Sequence, residues 1–429
     1  MSIKKFYIYV FLLCCAVIHA QNPLSGQHER PYSITVTFYD SSKDQYGINW
    51  HSETAYTKPQ IQFAKTVNGE QGTVDDVSCY ARSEYYVYKG ILTGLEPGTK
   101  YLYRVGNEDS DVWSEWGSFE TQAGNKSAFT FFHISDTQGS QGVWSDVLKT
   151  SFKTYEDVKF ILHTGDLVGN GSNISEWQYA FSVTEETLRQ TLITSVAGTQ
   201  HENFGTELYD HFNIHFPNGQ DPTYGFYYSY DYNDAHFTMI DVGTHNRLRF
   251  GGDLYEDQLE WLKKDLAGTD KKWKIVGIHW SLYGSGPWTI IDETVRVKKQ
   301  LIPIFDEYGV HLVLSGHDHV YTRSHQMRND KVTGNDCSEM DGNIDFAVNP
   351  HGTIYVSINP AGGPILMRQP NNADKSHAAV YGQPNLPMFG AITIDGNKLV
   401  YKAYTVNEGE AILYDSFGIK SDGTDKSIF

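Results

Sequence analysis

The chain has 429 residues and a mass of 48.6 kDa, which is enough for two or three domains with sizeable cores. Its formal net charge of −18 argues against binding nucleic acid or an anionic membrane through bulk electrostatics. Four cysteines in a chain of this length exclude a disulfide scaffold.

Residues 1–20 have the pattern of a secretory signal peptide. Lys4 and Lys5 precede an unbroken apolar stretch, and Ala20 is a plausible cleavage residue. The apolar stretch is short for a membrane span, and no other segment is long and apolar enough to cross a bilayer. We therefore expect an exported protein, secreted or periplasmic, whose mature chain begins with a polar linker at 21–30.

The residues from 31 to 123 alternate between polar and apolar in short runs separated by turns, which predicts a β-sandwich. Its strands are predicted at 33–38, 46–50, 60–63, 101–105 and 116–121. The fourth strand follows the turn Pro97-Gly98 and opens on Tyr101, whose hydroxyl is expected to bond back to that turn as in a tyrosine corner. This segment resembles a fibronectin type III domain, and Trp50 fits that module's core tryptophan.

After a polar linker at 122–127 the period changes, and strand-like runs alternate with helical patterns. This alternation predicts an α/β domain over residues 128–425. Helices are predicted at 142–155, 175–190, 255–267 and 294–308. A hairpin is predicted across Asn233-Asp234, and residues 324–350 are predicted to form one long polar loop.

Five strand-like runs of the α/β domain each end in side chains that can bind a metal. In one of them the apolar run 312–314 leads to Gly316, and His317 and His319 follow. Side chains at positions i and i+2 of an extended or turning segment point the same way, so these two imidazoles can converge on one site. The other four runs end at Asp136, Asp166, Gln200-His201 and His279. Together they predict a metal centre, because imidazoles are common ligands of zinc and iron.

These five blocks, with the sandwich before them, resemble the purple acid phosphatase branch of the calcineurin-like metallophosphoesterases. The most specific matches are Gly316-His317-Asp318-His319-Val320-Tyr321-Thr322-Arg323, Val276-Gly277-Ile278-His279 and Leu162-His163-Thr164-Gly165-Asp166-Leu167. The resemblance covers nearly the whole mature chain. It implies a second domain of two mixed β-sheets packed together and flanked by helices. It also implies a metal-dependent phosphoric ester hydrolase of acid phosphatase type, acting on small phosphomonoesters or phosphodiesters.

The same resemblance implies a centre of two metal ions, drawn from iron, zinc and manganese. Asp166 would bridge both ions, because a carboxylate has two oxygens to share. The other ligands would divide between the two sites, with Asp136 and His319 in one and His279, His317 and Gln200 in the other. A hydroxide made available near neutral pH by the metals would attack phosphorus in line. His201 would then donate a proton to the leaving alkoxide.

Several positions depart from the family's pattern. Gly169 stands where the purple enzymes have a tyrosine, so no charge-transfer colour is expected and ferric iron is less favoured. Gln138 stands where ordinary metallophosphoesterases have a histidine, and it is either a metal ligand or only a hydrogen-bonding neighbour. Gln200 stands for an asparagine. Arg323 is placed either to contact the phosphate or to form a structural ion pair.

The sequence also leaves room for a function of another class. Plant members of the family carry a histidine pair beyond the fourth block, where this chain has Gly286-Pro287-Trp288-Thr289, so substrate contacts should differ. The alternative is a binding protein whose sandwich does the work, with a metal site degraded at Gln138, Gln200 and Gly169. Catalysis is favoured by the joint presence of Asp136, Asp166, His201, His279, His317 and His319. The sequence does not indicate an oligomeric state.

Overall fold

The structure of the protein is a computed structural model that describes residues 29–421. Gaps in this description fall at 42, 67–68, 125–126, 200–206, 220–224, 244–251, 335–337, 364–366, 368 and 371–373. The predicted signal peptide and the predicted site residues Gln200 and His201 therefore lie outside the described residues. Among the helices within the described ranges, none combines the length and the apolarity that a membrane span requires.

The N-terminal part is a sandwich of two antiparallel sheets. The strands are β1 (Tyr32–Phe38), β2 (Tyr46–Ser52), β3 (Pro59–Ala64), β4 (Gln71–Val74), β5 (Val77–Ala81), β6 (Tyr86–Leu92), β7 (Lys100–Asn107), β8 (Val112–Trp113) and β9 (Gly117–Glu120). One sheet has the order β1-β2-β6-β5, and the other has the order β4-β3-β7-β8 with β9 paired to β7. Trp50 is fully buried between them and stacks on Tyr88 at 5.3 Å. The hydroxyl of Tyr101 accepts a hydrogen bond from the backbone N–H of Glu96 at 3.0 Å, so the predicted tyrosine corner is present.

The second part contains helices and two larger mixed sheets. The helices are α1 (Gln141–Thr154), α2 (Ile174–Leu188), α3 (Glu207–His211), α4 (Glu256–Gly268) and α5 (Asp292–Tyr308). The strands up to the fifth block are β10 (Phe129–Ile134), β11 (Val158–His163), β12 (Leu192–Ser195), β13 (Tyr228–Tyr232), β14 (Ala235–Ile240), β15 (Trp273–Ile278) and β16 (Leu312–Ser315). The four long predicted helices are confirmed to within two residues at each end.

The remaining strands lie in the last quarter of the chain. They are β17 (Tyr321–Ser324), β18 (Met327–Arg328), β19 (Lys331–Val332), β20 (Glu339–Asp341), β21 (Ile344–Val348), β22 (Ile354–Ser357), β23 (Ala378–Gly382), β24 (Met388–Asp395), β25 (Lys398–Asn407) and β26 (Glu410–Lys420). The prediction of one long loop over 324–350 was wrong, because this stretch contains four short strands. One of them, β21, pairs in parallel with β26 and extends a sheet.

The two large sheets bring the carboxyl ends of their parallel strands together. The orders are β12-β11-β10-β24-β25-β26-β21-β20 and β13-β14-β15-β16-β22-β17-β23. Strands β10, β11 and β12 run parallel in the first sheet, and β14, β15, β16 and β22 run parallel in the second. Their apolar side chains fill the space between the sheets, where Phe131 stacks on Phe160 at 4.9 Å and meets the edge of Phe237 at 5.2 Å. Each predicted ligand block therefore begins at the same end of the molecule.

The sandwich and the α/β part share one hydrophobic core rather than meeting through a loose linker. Phe38 of the sandwich stacks on Tyr230 of β13 at 4.7 Å. Gln122, in the predicted polar linker, is fully buried. Its backbone N–H donates to the Tyr46 hydroxyl at 2.9 Å, and its side-chain oxygen accepts from the Asn233 N–H at 3.0 Å. The linker thus enters the junction and ties the two parts together.

Candidate metal centre

Five predicted ligands meet where the two sheets converge. Ligand atoms of Asp166, His279 and His317 all lie within 4.8 Å of one another. Nε2 of His279 lies 3.3 Å from Oδ2 of Asp166, and Nε2 of His319 lies 3.2 Å from Oδ1 of Asp136. The backbone N–H of His317 donates to Oδ2 of Asp136 at 2.9 Å, which joins the two pairs. Strand ends that are far apart in sequence thus form one cluster of carboxylates and imidazoles.

Four of these residues adopt a left-handed backbone. The φ angles are 53° at Asp136, 57° at Asp166, 67° at His317 and 51° at His319. This conformation is uncommon outside glycine, but aspartate and histidine adopt it more readily than most residues, and strained backbone persists where the surroundings hold it in place. At Asp136 the holding bonds are visible, because its N–H donates to Gly165 and its carbonyl accepts from Gly363 at 2.8 Å.

Gly316, immediately before the two histidines, packs directly against the first block. A Cβ atom built at this position would overlap the hydroxyl of Ser135 and Oδ2 of Asp136. Only glycine lets the fifth block approach the first one this closely. The glycine that ends β16 is therefore part of the geometry that brings His317 to Asp136.

Neighbouring groups orient the ligands. Nδ1 of His279 lies 2.6 Å from the carbonyl oxygen of Thr164, so this nitrogen carries the proton and Nε2 is turned towards Asp166. Oδ1 of Asp166 accepts from the backbone N–H and the hydroxyl of Thr199, at 2.5 Å and 2.9 Å. Its Oδ2 accepts from the side-chain amide of Gln138 at 3.2 Å. Asp166 is held through both oxygens and remains in contact with His279.

The charges in the cluster shift one another's protonation. Burial would raise the pKa values of Asp166 and Asp136, but the neighbouring imidazoles outweigh burial and hold both below the usual range. Burial would lower the pKa of His279, but Asp166 and Asp136 outweigh it and raise this pKa to about 9. Burial, followed by repulsion from His279, lowers the pKa of His317 to about 3. The carboxylates are therefore ionised and ready to hold cations.

The donor set fits metal ions. Three buried atoms at the cluster lack a hydrogen bond of good geometry to any described residue. Oε1 of Gln138 has no polar contact, whereas Oδ1 of Asp136 and Nε2 of His279 have only the ion-pair contacts to His319 and Asp166 given above. A buried polar atom without a partner is costly, and a cation would satisfy all three. Carboxylate oxygens and neutral imidazoles are the ligands that zinc, iron and manganese accept. The amide nitrogen of Gln138 donates to Asp166, and its oxygen is available to a cation. The contacts of Gln138 therefore fit both a metal ligand and a hydrogen-bonding neighbour.

Other predicted residues lie elsewhere or outside the described ranges. The structure does not describe Gln200 and His201, although Thr199 just before them contacts Asp166. Nε of Arg323 donates to Asp415 at 2.8 Å, and its guanidinium lies over the Phe417 ring. Of the two alternatives for Arg323, this geometry favours the structural ion pair.

The sequence reasoning did not single out Asp318, which lies between the two histidines of the fifth block. Asp318 is fully buried. Its carboxylate accepts from the backbone N–H groups of Gly286 and Trp288, both at 3.1 Å, and from the hydroxyl of Thr289. Its position between two histidines that follow a buried strand could have predicted this role, because a buried carboxylate needs hydrogen-bond partners. It fixes the loop that follows the fourth block.

Comparisons with known proteins agree with this arrangement. Residues 31–121 match the family model of the purple acid phosphatase N-terminal domain, and residues 129–321 match that of the calcineurin-like phosphoesterases. Acid phosphatase type 7 of Mus musculus is 22% identical over 388 residues, covering 82% of this chain and 83% of the mouse protein. Acid phosphatase type 7 of Homo sapiens is 25% identical over 384 residues, covering 82% of each chain.

A solved structure shows the same fold. The purple acid phosphatase PPD1 from yellow lupin (Lupinus luteus) seeds superposes with a TM-score of 0.77 at 18% sequence identity, covering 94% of this chain and 76% of the lupin chain. The two family models together span about two thirds of the sequence, and the family implies a centre of two metals. The chain therefore belongs to the purple acid phosphatase-like, calcineurin-type metallophosphoesterases, and it is a metal-dependent phosphoric ester hydrolase.

Proposed function

We propose that the protein is an exported phosphoesterase with two metal ions, drawn from iron, zinc and manganese, that hydrolyses phosphomonoesters or phosphodiesters. The observation that carries the proposal is the convergence of two carboxylates and three imidazoles from four strand ends. When bound, the two ions would neutralise the phosphoryl oxygens and make a nucleophilic hydroxide available near neutral pH. Export rests on the sequence of residues 1–20.

In this proposal the chain's own residues hold and orient the ions. Asp166 would contribute to holding both ions, and the contacts that fix its two oxygens support this role. Asp136 and His319 would hold one ion, and their pairing at 3.2 Å supports a shared site. His279, His317 and Gln200 would hold the other ion. The hydrogen bond from Nδ1 of His279 to Thr164 keeps its Nε2 available as a ligand.

His201 supplies the proton for the leaving alkoxide. The support is its place in the chain, two residues after Thr199, which donates two hydrogen bonds to Asp166. A general acid must lie within reach of the leaving oxygen, so it belongs beside the bridging carboxylate.

Gln138 takes part in the centre in place of an aromatic ligand. A Cβ built at Gly169 would lie 4.0 Å from Cβ of Gln138 and 3.3 Å from Oε2 of Glu176, so the side chain at 169 and that of Gln138 would share one space. The unpartnered Oε1 of Gln138 supports a role as a neutral oxygen ligand. Because no phenolate is present at 169, the metal-loaded protein should be colourless.

The decisive experiment measures metal content, visible spectrum and turnover on one preparation. We expect about two equivalents of metal, no charge-transfer band, and hydrolysis of p-nitrophenyl phosphate or its bis ester with manganese, zinc or iron. The departures at Gln138 and Gly169 are what favour the alternative, a binding protein with a degraded site. Metal content below one equivalent, together with no turnover for any of the three metals, would establish that alternative.

A further inference from the structure

Two indole rings lie almost parallel to the imidazole of His317. The ring of Trp280 is 5.8 Å away with an interplanar angle of 15°, and the ring of Trp288 is 5.5 Å away with an angle of 29°. Stacked arrangements of this kind are favourable and fix ring orientation. One of the ligands of the proposed metal centre is therefore part of an aromatic group that includes the loop after the fourth block.

Trp288 differs from Trp280 in how much of it meets solvent. Trp288 is 38% exposed, while Trp280 is more deeply placed. A tryptophan that stacks on a predicted metal ligand and keeps over a third of its surface exposed offers a large apolar area beside the site. Ile290, two residues further on, is 46% exposed, which adds apolar surface to the same loop.

The backbone of Trp288 is held firmly, so the exposed indole is a fixed feature. Its N–H donates to Asp318, the fully buried aspartate between His317 and His319. Gly286 packs on the same carboxylate so closely that a Cβ there would lie 2.7 Å from the Asp318 carboxyl carbon. Asp318 thus lies between the two predicted histidine ligands in sequence and also fixes the backbone that carries the indole. A platform fixed relative to the metals needs no reorganisation when a substrate binds.

We propose that Trp288 is a stacking platform for the leaving group, and that the preferred substrates are phosphate esters whose leaving alcohol carries a flat aromatic ring, either a nucleobase or an aryl group. The inference rests on the proposed function, because it takes the phosphate to lie at the metal centre. Tryptophan has the largest aromatic face available for a planar ring, and the contact needs no hydrogen-bond partner. The remote ring then contributes binding energy that a simple alkyl ester lacks.

A matched pair of substrates measures the contribution of the aromatic ring to KM. Adenosine 5′-monophosphate and ribose 5-phosphate both release a primary alcohol at the C5′ oxygen, and they differ in the presence of the base. We expect KM for ribose 5-phosphate to be at least about 5-fold higher with similar kcat. Benzyl phosphate against ethyl phosphate makes the same comparison for an aryl group, so the two pairs tell which kind of ring is preferred.

Variants then assign the effect to one side chain. Trp288→Ala should raise KM for adenosine 5′-monophosphate about 5-fold while changing KM for ribose 5-phosphate less than twofold, and Trp288→Phe should recover most of the loss. Tyr381→Ala, which removes an exposed aromatic ring from β23, is the control and should change neither constant. Metal content measured on each variant should equal that of the wild type. Equal KM values within both substrate pairs in the wild type, or equal losses in Trp288→Ala for esters with and without a ring, would overturn the inference.

A measurement without turnover separates this inference from the proposed function. Adenosine should quench part of the tryptophan emission of the metal-loaded protein, ribose should not, and Trp288→Ala should abolish the quenching. If no ester is hydrolysed but this quenching is present and depends on Trp288, the phosphoesterase proposal fails while the platform stands. If esters are hydrolysed and neither adenosine nor benzyl alcohol causes quenching, the platform is wrong and the phosphoesterase proposal stands.

Discussion

Asp136, Asp166, His317 and His319 reach the candidate metal centre from backbone conformations that most side chains avoid. The cost of such a residue is on the order of 1–3 kcal/mol, so the surrounding bonds must compensate for it. The compensation is visible as the hydrogen bonds that Asp136 makes to Gly165 and Gly363. Each ligand is consequently aimed by its own backbone as well as by its rotamer.

His319→Ala tests the ligand role of the last histidine. Removing it leaves Asp136 with one fewer neighbour at 3.2 Å and opens one metal site. We expect the protein to hold about one equivalent of metal and to lose at least about 100-fold in kcat. Metal analysis and kinetics on the same sample check this. His133→Gln is a matched control, because His133 is a buried histidine whose two nitrogens contact Tyr401 and Thr164 rather than the centre. Full metal content in His319→Ala would contradict the assignment.

His201→Ala tests the acid role. The variant should retain both metals, and its rate should fall about 100-fold or more on alkyl esters, whose leaving alkoxide needs a proton. The rate on p-nitrophenyl phosphate should fall much less, since that leaving group departs as a stable anion. A plot of rate against the pKa of the leaving group checks this. An equal loss along the whole series would show that His201 does not act as the acid.

At the scale of elements, the hairpin β13–β14 contains a buried charge cluster that is separate from the metal centre. Nδ1 of His236 lies 2.7 Å from Asp231, and Nε2 lies 2.9 Å from Asp265 of α4. Lys271 lies 3.6 Å from Asp231. Burial would lower the pKa of His236, but hydrogen bonds to the two carboxylates outweigh it and raise this pKa to about 9. The imidazolium joins the hairpin to the helix that covers it.

Because of this cluster, the stability of the folded protein should fall at alkaline pH. The folded pKa of about 9 is above the unfolded value of 6.5, so the contribution is complete below pH 6.5 and is lost as the pH rises through 9. The charged His236 contributes about 3 kcal/mol at most to the free energy of unfolding. The difference in free energy of unfolding between wild type and His236→Gln should therefore shrink from pH 6 to pH 10. Urea titrations at both pH values measure it, and a constant difference would exclude a charged His236.

Local patterns were enough to predict most elements and not enough to predict one region. The helices and the hairpin are visible because each depends on periodicity or on a turn within a few residues. The stretch 324–350 is polar and gives no such signal, and its strand β21 forms only by pairing with β26, about 70 residues later in the sequence. Pairing at that separation is decided by tertiary packing, which a local pattern does not contain.

In the predicted site, too, local patterns identified residues that follow a strand but not contacts between distant segments. Asp136, Asp166, His279, His317 and His319 could be named because each directly follows an apolar strand-like run. Asp318 and Trp288 could not be assigned roles, because their contact crosses from one block to another. Arg323 belongs to a matching motif, yet its partner Asp415 comes from β26, which no motif reveals.

At the scale of the whole molecule, Asp210 at the end of α3 ties the α/β part to the sandwich. Its carboxylate is fully buried and accepts two bonds from Arg82, both at 2.6 Å, and one each from the hydroxyls of Tyr80 and Tyr85. Nearby, Lys89 of the sandwich donates to the carbonyl of Phe212 at 2.9 Å, and burial lowers the pKa of this lysine to about 8. The sandwich thus anchors the segment that follows the third block.

Arg82→Met should destabilise the protein by about 3 kcal/mol, because it leaves the buried carboxylate of Asp210 without its cation. Arg30→Met is the control, since Arg30 pairs with Glu115 at 3.9 Å with both side chains mostly exposed, and it should change stability by less than about 0.5 kcal/mol. Urea unfolding followed by tryptophan fluorescence measures both. Similar small effects in the two variants would mean that the Asp210 cluster does not hold the parts together.

The buried position of Gln122 has a consequence for a cleaved chain. A protease that cut between Gln122 and Ser127 would sever the peptide connection between the halves, yet the stack of Phe38 on Tyr230 and the bonds to Asp210 would be intact. The nicked protein should elute as one species and separate only in denaturant. By the same reasoning, a gene fusion that exchanged the sandwich for an unrelated module would expose aromatic surface on the phosphatase half, so the new protein should be less soluble than the original.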